Sequence, residues 1–132
     1  MKILNHKIIL ATTLLLSSSL FIGSINAREF IPPNQAFKPS QQGNIITIEI
    51  ADGYYLYQSK ITAQSSSGPV DFIFLNKPIA KKFPNQGTHS VYLDKAKIKV
   101  NGNTRKPITL RYQGCSSQGL CYPPQQITLK AM

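Results

Sequence analysis

Cys115 and Cys121 lie in the stretch Gln113-Gly114-Cys115-Ser116-Ser117-Gln118-Gly119-Leu120-Cys121-Tyr122-Pro123-Pro124 and are the only cysteines in the 132-residue chain. Five residues separate them. A pair so close can close a small disulfide ring, which can act as a staple or as a reagent. As a staple it is weak. Closing a ring of about seven residues stabilises by about 2 kcal/mol in the loop-entropy treatment, against about 3 kcal/mol for fifteen. As a reagent it would take part in thiol–disulfide exchange. That chemistry needs an accessible sulfur, a thiolate attacker and a second thiol near enough to resolve the mixed disulfide. Gly114 and Gly119 permit tight turns and close approach by a partner, and Pro123-Pro124 stiffens the exit. The spacing is not Cys-x-x-Cys, and no βαβ pattern surrounds it. Spacing alone leaves both readings open.

Other chemistries fit less well. His89 is the only histidine beyond the first few residues. Two cysteines and one histidine fall short of the four protein ligands of a structural zinc site. A nucleophilic cysteine enzyme needs a base and an orienting group; His89 could be the base, but an oxidising compartment ties up the thiol. No phosphate loop, paired catalytic carboxylates or serine triad stands out, and Asp52 and Asp71 read as turn or surface residues. No cofactor and no metal are expected.

The N-terminus reads as an export signal. Lys2 and Lys7 give a positive start, Ile8 to Ile22 is mostly apolar, and Gly23-Ser24-Ile25-Asn26-Ala27 supplies small residues before a cleavage point. The apolar run is shorter than the ~20 residues that span a bilayer and is broken by Ser17 to Ser19. Residues 1–27 are therefore expected to leave, with 28–132 forming one exported domain. An oxidising compartment, where paired cysteines persist, follows. Without Lys2 and Lys7 the chain carries 13 basic and 5 acidic residues, a net charge of +8. The lysines are spread from Lys38 to Lys130 rather than clustered, so nucleic acid is not expected as a partner. A basic surface that steers the domain to an acidic partner or an anionic membrane face is.

Positioning the cysteines falls to short strands. Ile46, Ile48 and Ile50 alternate with Thr47 and Glu49, and Ala96, Ile98 and Val100 alternate with Lys95, Lys97 and Lys99, the period of half-buried strands. Asp52-Gly53 turns the chain into the aromatic strand Tyr54 to Tyr57. Val70 to Leu75, Ser90 to Leu93, Ile108 to Tyr112 and Gln126 to Leu129 complete seven strands. Arg28 to Gly43, with prolines at 32, 33 and 39, reads as an extended arm pinned by Phe30, Ile31 and Phe37. Ser65 to Pro69 and Asn76 to Thr88 read as loops. The pattern predicts an all-β, immunoglobulin-like β-sandwich.

Two stretches together resemble a known family. Ala51-Asp52-Gly53-Tyr54-Tyr55-Leu56-Tyr57, and Tyr112-Gln113-Gly114-Cys115 followed after five residues by Cys121-Tyr122-Pro123-Pro124, are similar to the N-terminal periplasmic domain of DsbD, the thiol:disulfide interchange protein. Weaker similarity extends to Phe30–Phe37. The resemblance implies an immunoglobulin-like sandwich with an inserted active-site loop region, and a periplasmic relay of reducing equivalents between thioredoxin-like proteins. Such partners include a disulfide isomerase and a thioredoxin-like protein of cytochrome c maturation. It implies Cys121 as the sulfur that forms the mixed disulfide, Cys115 as its intramolecular partner, Tyr55, Tyr57 and Tyr122 as site-lining residues, and Phe83 as the aromatic of a cap. Lys81 and Lys82 stand where the family commonly carries acids, and are expected to modulate the thiols. A separate membrane polypeptide is the expected electron donor. The alternative is a non-catalytic immunoglobulin-like binding module with a structural disulfide.

Overall fold

The computed structural model describes residues 29–101 and 106–130. The expected export segment lies outside them. In chain order the elements are a short helix α1 (Pro33–Ala36) and strands β1 (Phe37–Gln42), β2 (Ile45–Ile50) and β3 (Tyr54–Tyr57), followed by a 3₁₀ turn (Gln58–Lys60). Strands β4 (Thr62–Ser65), β5 (Gly68–Pro69), β6 (Phe72–Phe74), β7 (Ile79–Phe83) and β8 (Gly87–Tyr92) come next. The chain ends with β9 (Lys95–Val100), β10 (Ile108–Tyr112), β11 (Gly114–Ser116) and β12 (Gln125–Leu129).

Three four-stranded antiparallel sheets result, ordered β1-β2-β9-β6, β12-β10-β4-β5 and β11-β3-β8-β7. The first two enclose the main core. In β2 and β9 the alternation seen in the sequence is realised: Ile46 pairs with Ile98 and Ile48 with Ala96, all fully buried, while Lys95, Lys97 and Lys99 face outward. Ala63, Ile108, Leu110 and Leu129 close the core from the second sheet. The immunoglobulin-like, all-β expectation holds. The inserted region is itself a sheet rather than a loop.

That third sheet positions the site because its strands have two faces. Tyr54 and Leu56 of β3 and Tyr92 of β8 point into the main core. Tyr55 of β3, Val91 of β8 and Cys115 of β11 form a second, smaller cluster, with Tyr57 and Phe83 against it. The central strands are thus a wall with the core on one side and the cysteine cluster on the other.

Three expectations fail. Ser65 to Pro69 is the end of β4 and all of β5, paired around a two-residue turn, rather than a loop. Within the expected arm, residues 29–43 are not irregular. Pro33 starts a helical turn, where its fixed φ and missing N–H are tolerated. Phe37 then opens an edge strand paired to β2, and Pro39 is accommodated because β1 has a neighbour on one side only. Phe37 is fully buried and Ile31 packs partly buried against the core, whereas Phe30 is half-buried. Likewise Asn76 to Thr88 is mostly a hairpin of β7 and β8. Pro84, Asn85 and Gln86 turn it, with Asn85 at φ 63° and Gly87 at φ 79°. Strand β4 also went unread, because only Ala63 of its four residues is buried.

Candidate functional site

Strands β10 and β11 deliver Cys115 and the turn after β11 returns Cys121 beside it, with Cα atoms 4.0 Å apart and the two sulfurs joined as a disulfide. The backbone holds this turn tightly. Tyr122 N–H donates to the Gly114 carbonyl at 3.0 Å, Ser116 N–H to Leu120 at 2.6 Å, and Ser117 N–H to Gly53 at 2.7 Å. The last bond ties the ring to the Asp52-Gly53 turn, which explains why the two sequence stretches occur together. Gly114 is required where it stands. A Cβ there would collide with the Phe37 ring and the Tyr55 carbonyl oxygen. Gly119 sits at φ 103°, a conformation that L side chains rarely adopt.

The two sulfurs see different surroundings. Cys115 is only 1% exposed, in the cluster with Tyr55 and Val91, whereas Cys121 is exposed. Cys121 and an edge of Cys115 open onto a groove of about 480 Å³ lined also by Tyr57, Lys60, Gln86, His89 and Gln113. Tyr57 Oη lies 4.0 Å from Cys115 Sγ. Its ring meets Tyr55 edge-on at 5.4 Å, and Phe83 packs on both, at 5.4 Å from Tyr55 and 5.9 Å from Tyr57. Burial, with Tyr57 as the neighbouring hydroxyl, pushes the Tyr55 phenol well above its ordinary pKa. It is therefore a neutral hydroxyl under the disulfide. Among the described residues no group of three or more His, Cys, Asp or Glu side chains comes together to hold a metal.

The structure brings Cys115, Cys121, Tyr55, Tyr57 and Phe83 together, with Lys81 over the aromatics on their far side from the groove, and leaves Tyr122 and Lys82 apart. Tyr122 does not line the groove. It is buried in the main core, stacked on Tyr54 at 6.1 Å and edge-on to Phe37 at 5.9 Å, and its hydroxyl donates to the Ile31 carbonyl. The Ile31 N–H in turn donates to Tyr54 Oη at 3.1 Å. Tyr122 thus anchors the ring's exit to the N-terminal segment. Lys81 and Lys82 alternate across β7, so only Lys81 faces the aromatics, its ammonium 4.5 Å above the Tyr55 ring. It occupies a separate cleft with Asp52 and Asp94, and Lys82 is exposed. The lysine that shares a groove with the disulfide is Lys60.

Sequence reading also passed over His89 as a wall residue, having weighed it only as a base or metal ligand. It donates from Nε2 to the Gln86 carbonyl at 2.9 Å and packs on Tyr57 and Phe83. Its signal was register: the hairpin sets it opposite Lys81, two residues from Phe83. Lys60 was signalled only by its place three residues after Tyr57.

Residues 27–131 match the family model described as Thiol:disulfide interchange protein DsbD, N-terminal. The chain belongs to the DsbD N-terminal domain family. It is 31% identical over 126 residues to the DsbD of Escherichia coli strain K12, a match that covers 88% of this chain and 22% of that protein. To the DsbD of Neisseria meningitidis serogroup A it is 34% identical over 113 residues, covering 76% and 18%. The chain thus spans about a fifth of the length of these curated relatives. Among solved structures, the reduced DsbD N-terminal domain of N. meningitidis superposes with a TM-score of 0.62 at 31% identity, covering 76% of this chain and 87% of that one. The complex of the DsbD and PilB N-terminal domains from the same organism matches with a TM-score of 0.58 at 30% identity, covering 76% and 86%.

The buried tyrosines give this member of the DsbD N-terminal family an alkaline limit. Burial, and then the Tyr54 hydroxyl, raise the Tyr122 pKa from 10.0 to about 12, and burial also raises Tyr92 and Tyr112. The folded state keeps protons that the unfolded chain releases above pH ~10. This stabilisation is complete below that pH and is lost as pH rises toward about 12. Thermal melts across this range should show a falling midpoint. Tyr122→Phe should lower stability by about 1 kcal/mol at neutral pH, through the lost hydrogen bond to Ile31, and should flatten the alkaline fall. An unchanged slope would contradict the assignment.

Proposed function

We propose that this chain is an exported thiol–disulfide exchange domain that works in the periplasm once residues 1–27 are removed. It relays reducing equivalents between thioredoxin-like partners through Cys121 and Cys115. The observation that carries the reading is the asymmetry of one disulfide: Cys115 buried at 1% exposure, Cys121 exposed in an open groove. A staple needs no such difference, whereas exchange needs one reachable sulfur with a second close enough to resolve the mixed disulfide. The family match beginning at residue 27 supports the domain division. Among the described residues no helix is long and apolar enough to cross a membrane. The solved complex of a relative with the PilB N-terminal domain supports a protein as partner.

In the reduced domain the Cys121 thiolate attacks one sulfur of the partner's disulfide, and the partner's other sulfur leaves as a thiolate that takes up a proton. Cys115, deprotonated in turn, attacks Cys121 Sγ and releases the partner's first sulfur. The partner gains two electrons and two protons, and the domain ends as the Cys115–Cys121 disulfide. A dithiol donor, proposed to be carried by a membrane polypeptide, reverses these steps to reduce it again. Tyr55 supplies a neutral hydroxyl, and Tyr57 a hydroxyl and a ring face, beside the sulfurs. Lys81, 4.5 Å over the Tyr55 ring and 5.5 Å over the Phe83 ring, acts on the site through those rings, and Lys82 has no proposed part.

Phe83, at the tip of the β7–β8 hairpin, is the proposed cap. Phe83→Ala should speed reduction of the disulfide by a small thiol several-fold without changing the fold, read by stopped-flow thiol kinetics; an unchanged rate would remove the cap. The function itself is tested by mixing the reduced domain with an oxidised thioredoxin-like domain and titrating thiols on both. Equal loss and gain of thiols is expected. If reduction unfolds the domain and no thiols transfer, the disulfide is a staple in a binding module.

A further inference from the structure

A second groove, about 340 Å³, is lined by Ser59, Lys60, Thr62, Arg111, Gln113 and Pro124 among others. It shares Ser59, Lys60 and Gln113 with the disulfide groove. The two form one trough that starts at Cys121, passes Lys60 and ends at Arg111. No carboxylate lines either part. Arg111 is exposed on β10, and its cross-strand neighbours Thr62 and Gln126 are uncharged. Lys60 is exposed at the end of the 3₁₀ turn. The cleft that holds Lys81 differs, since Asp52 and Asp94 share it. The trough therefore carries two cations, Lys60 and Arg111, with no carboxylate in its lining, and begins at Cys121.

Exchange brings the partner's cysteine to the mouth of this trough, at Cys121 Sγ, and the residues flanking it lie within reach of Lys60. We propose that the segment flanking that cysteine is acidic, and that its carboxylates pair with Lys60 and Arg111. The inference rests on the exchange reading above. A guanidinium offers paired donors that match a carboxylate. Exposed cations lose little hydration on pairing, so the gain falls mainly on encounter rate and partner choice. Gln113 and Ser59 supply polar groups for the segment's backbone between the two charges.

The test uses two synthetic peptides, each with one cysteine activated as a mixed disulfide with thionitrobenzoate. A run of glutamates follows the cysteine in one and a run of glutamines in the other. The Cys121 thiolate attacks the peptide sulfur and releases the coloured thionitrobenzoate anion, which reports the rate. At low ionic strength the acidic peptide should react about tenfold faster. In about 1 M salt, where the Debye length is about 3 Å, the preference should vanish. Lys60→Glu/Arg111→Glu should abolish or invert it, and the milder Lys60→Gln/Arg111→Gln should reduce it. Lys97→Glu/Lys99→Glu, the same charge change on the opposite sheet, should preserve it. Equal rates for the two peptides, or equal losses from the two glutamate pairs, would overturn the proposal and leave the exchange reading standing. Failure of both peptides to react would overturn both.

Discussion

Truncating Phe37 to alanine is expected to lower the stability of the domain by about 3–5 kcal/mol. Its ring is fully buried where the main core meets the site, edge-on to Tyr54, Tyr112 and Tyr122 at 5.9–6.2 Å. It also fills the space that Gly114 leaves free. Truncation removes the transfer free energy of the ring and leaves a cavity among rigid aromatics that relax poorly. Since small domains are stable by only about 5–15 kcal/mol, such a loss consumes a large share of the total. Denaturant unfolding measures it directly. A loss under about 1 kcal/mol would mean that β1 is a detachable arm after all. Because Phe37 touches the wall that carries Gly114, a milder Phe37→Leu should also loosen the disulfide turn, seen as faster amide exchange at Ser116 and Tyr122.

The second large effect falls on activity. Cys121→Ser should reduce exchange with an oxidised thioredoxin-like domain to the rate of the blank. Cys115→Ser should keep the first attack and lose the second, so that the partner is bound covalently but not released. The two substitutions are chemically identical, and their difference comes from burial alone. A structural disulfide would give the same result for both: lower stability and no exchange phenotype to compare. Quenched-flow sampling with thiol alkylation separates the steps.

Much of this was legible in the sequence, for definite physical reasons. Strands with one buried face announce themselves by alternation, and Ile46 to Ile50 and Lys95 to Val100 fold as read. The cysteine stretch and the Tyr54 to Tyr57 strand were linked by resemblance; the structure gives the cause, a hydrogen bond from Ser117 to Gly53. The misses share another cause. Strand β1 carries a proline and β7 carries Lys81-Lys82-Phe83, so neither has the apolar alternation of a central strand. Both lie at sheet edges, where that pattern is not needed. Tyr122 follows Cys121 directly, but successive residues of extended chain point to opposite sides. That sends its ring into the core and leaves Cys121 at the surface. Lys60 and Arg111 were invisible as a pair because they come from different elements, which only the β4–β10 pairing brings together.

The central claim is that Cys121 is the sulfur through which this domain meets its partner, and the most direct measurement is the map of a trapped adduct. Reduced Cys115→Ser protein, mixed with an oxidised thioredoxin-like domain, should yield a stable one-to-one covalent complex. Non-reducing peptide mapping by mass spectrometry should place its single intermolecular disulfide at Cys121, and reduction should dissolve it. If no adduct forms although the variant is folded and Cys121 alkylates readily, the disulfide is a staple and the exchange account is wrong.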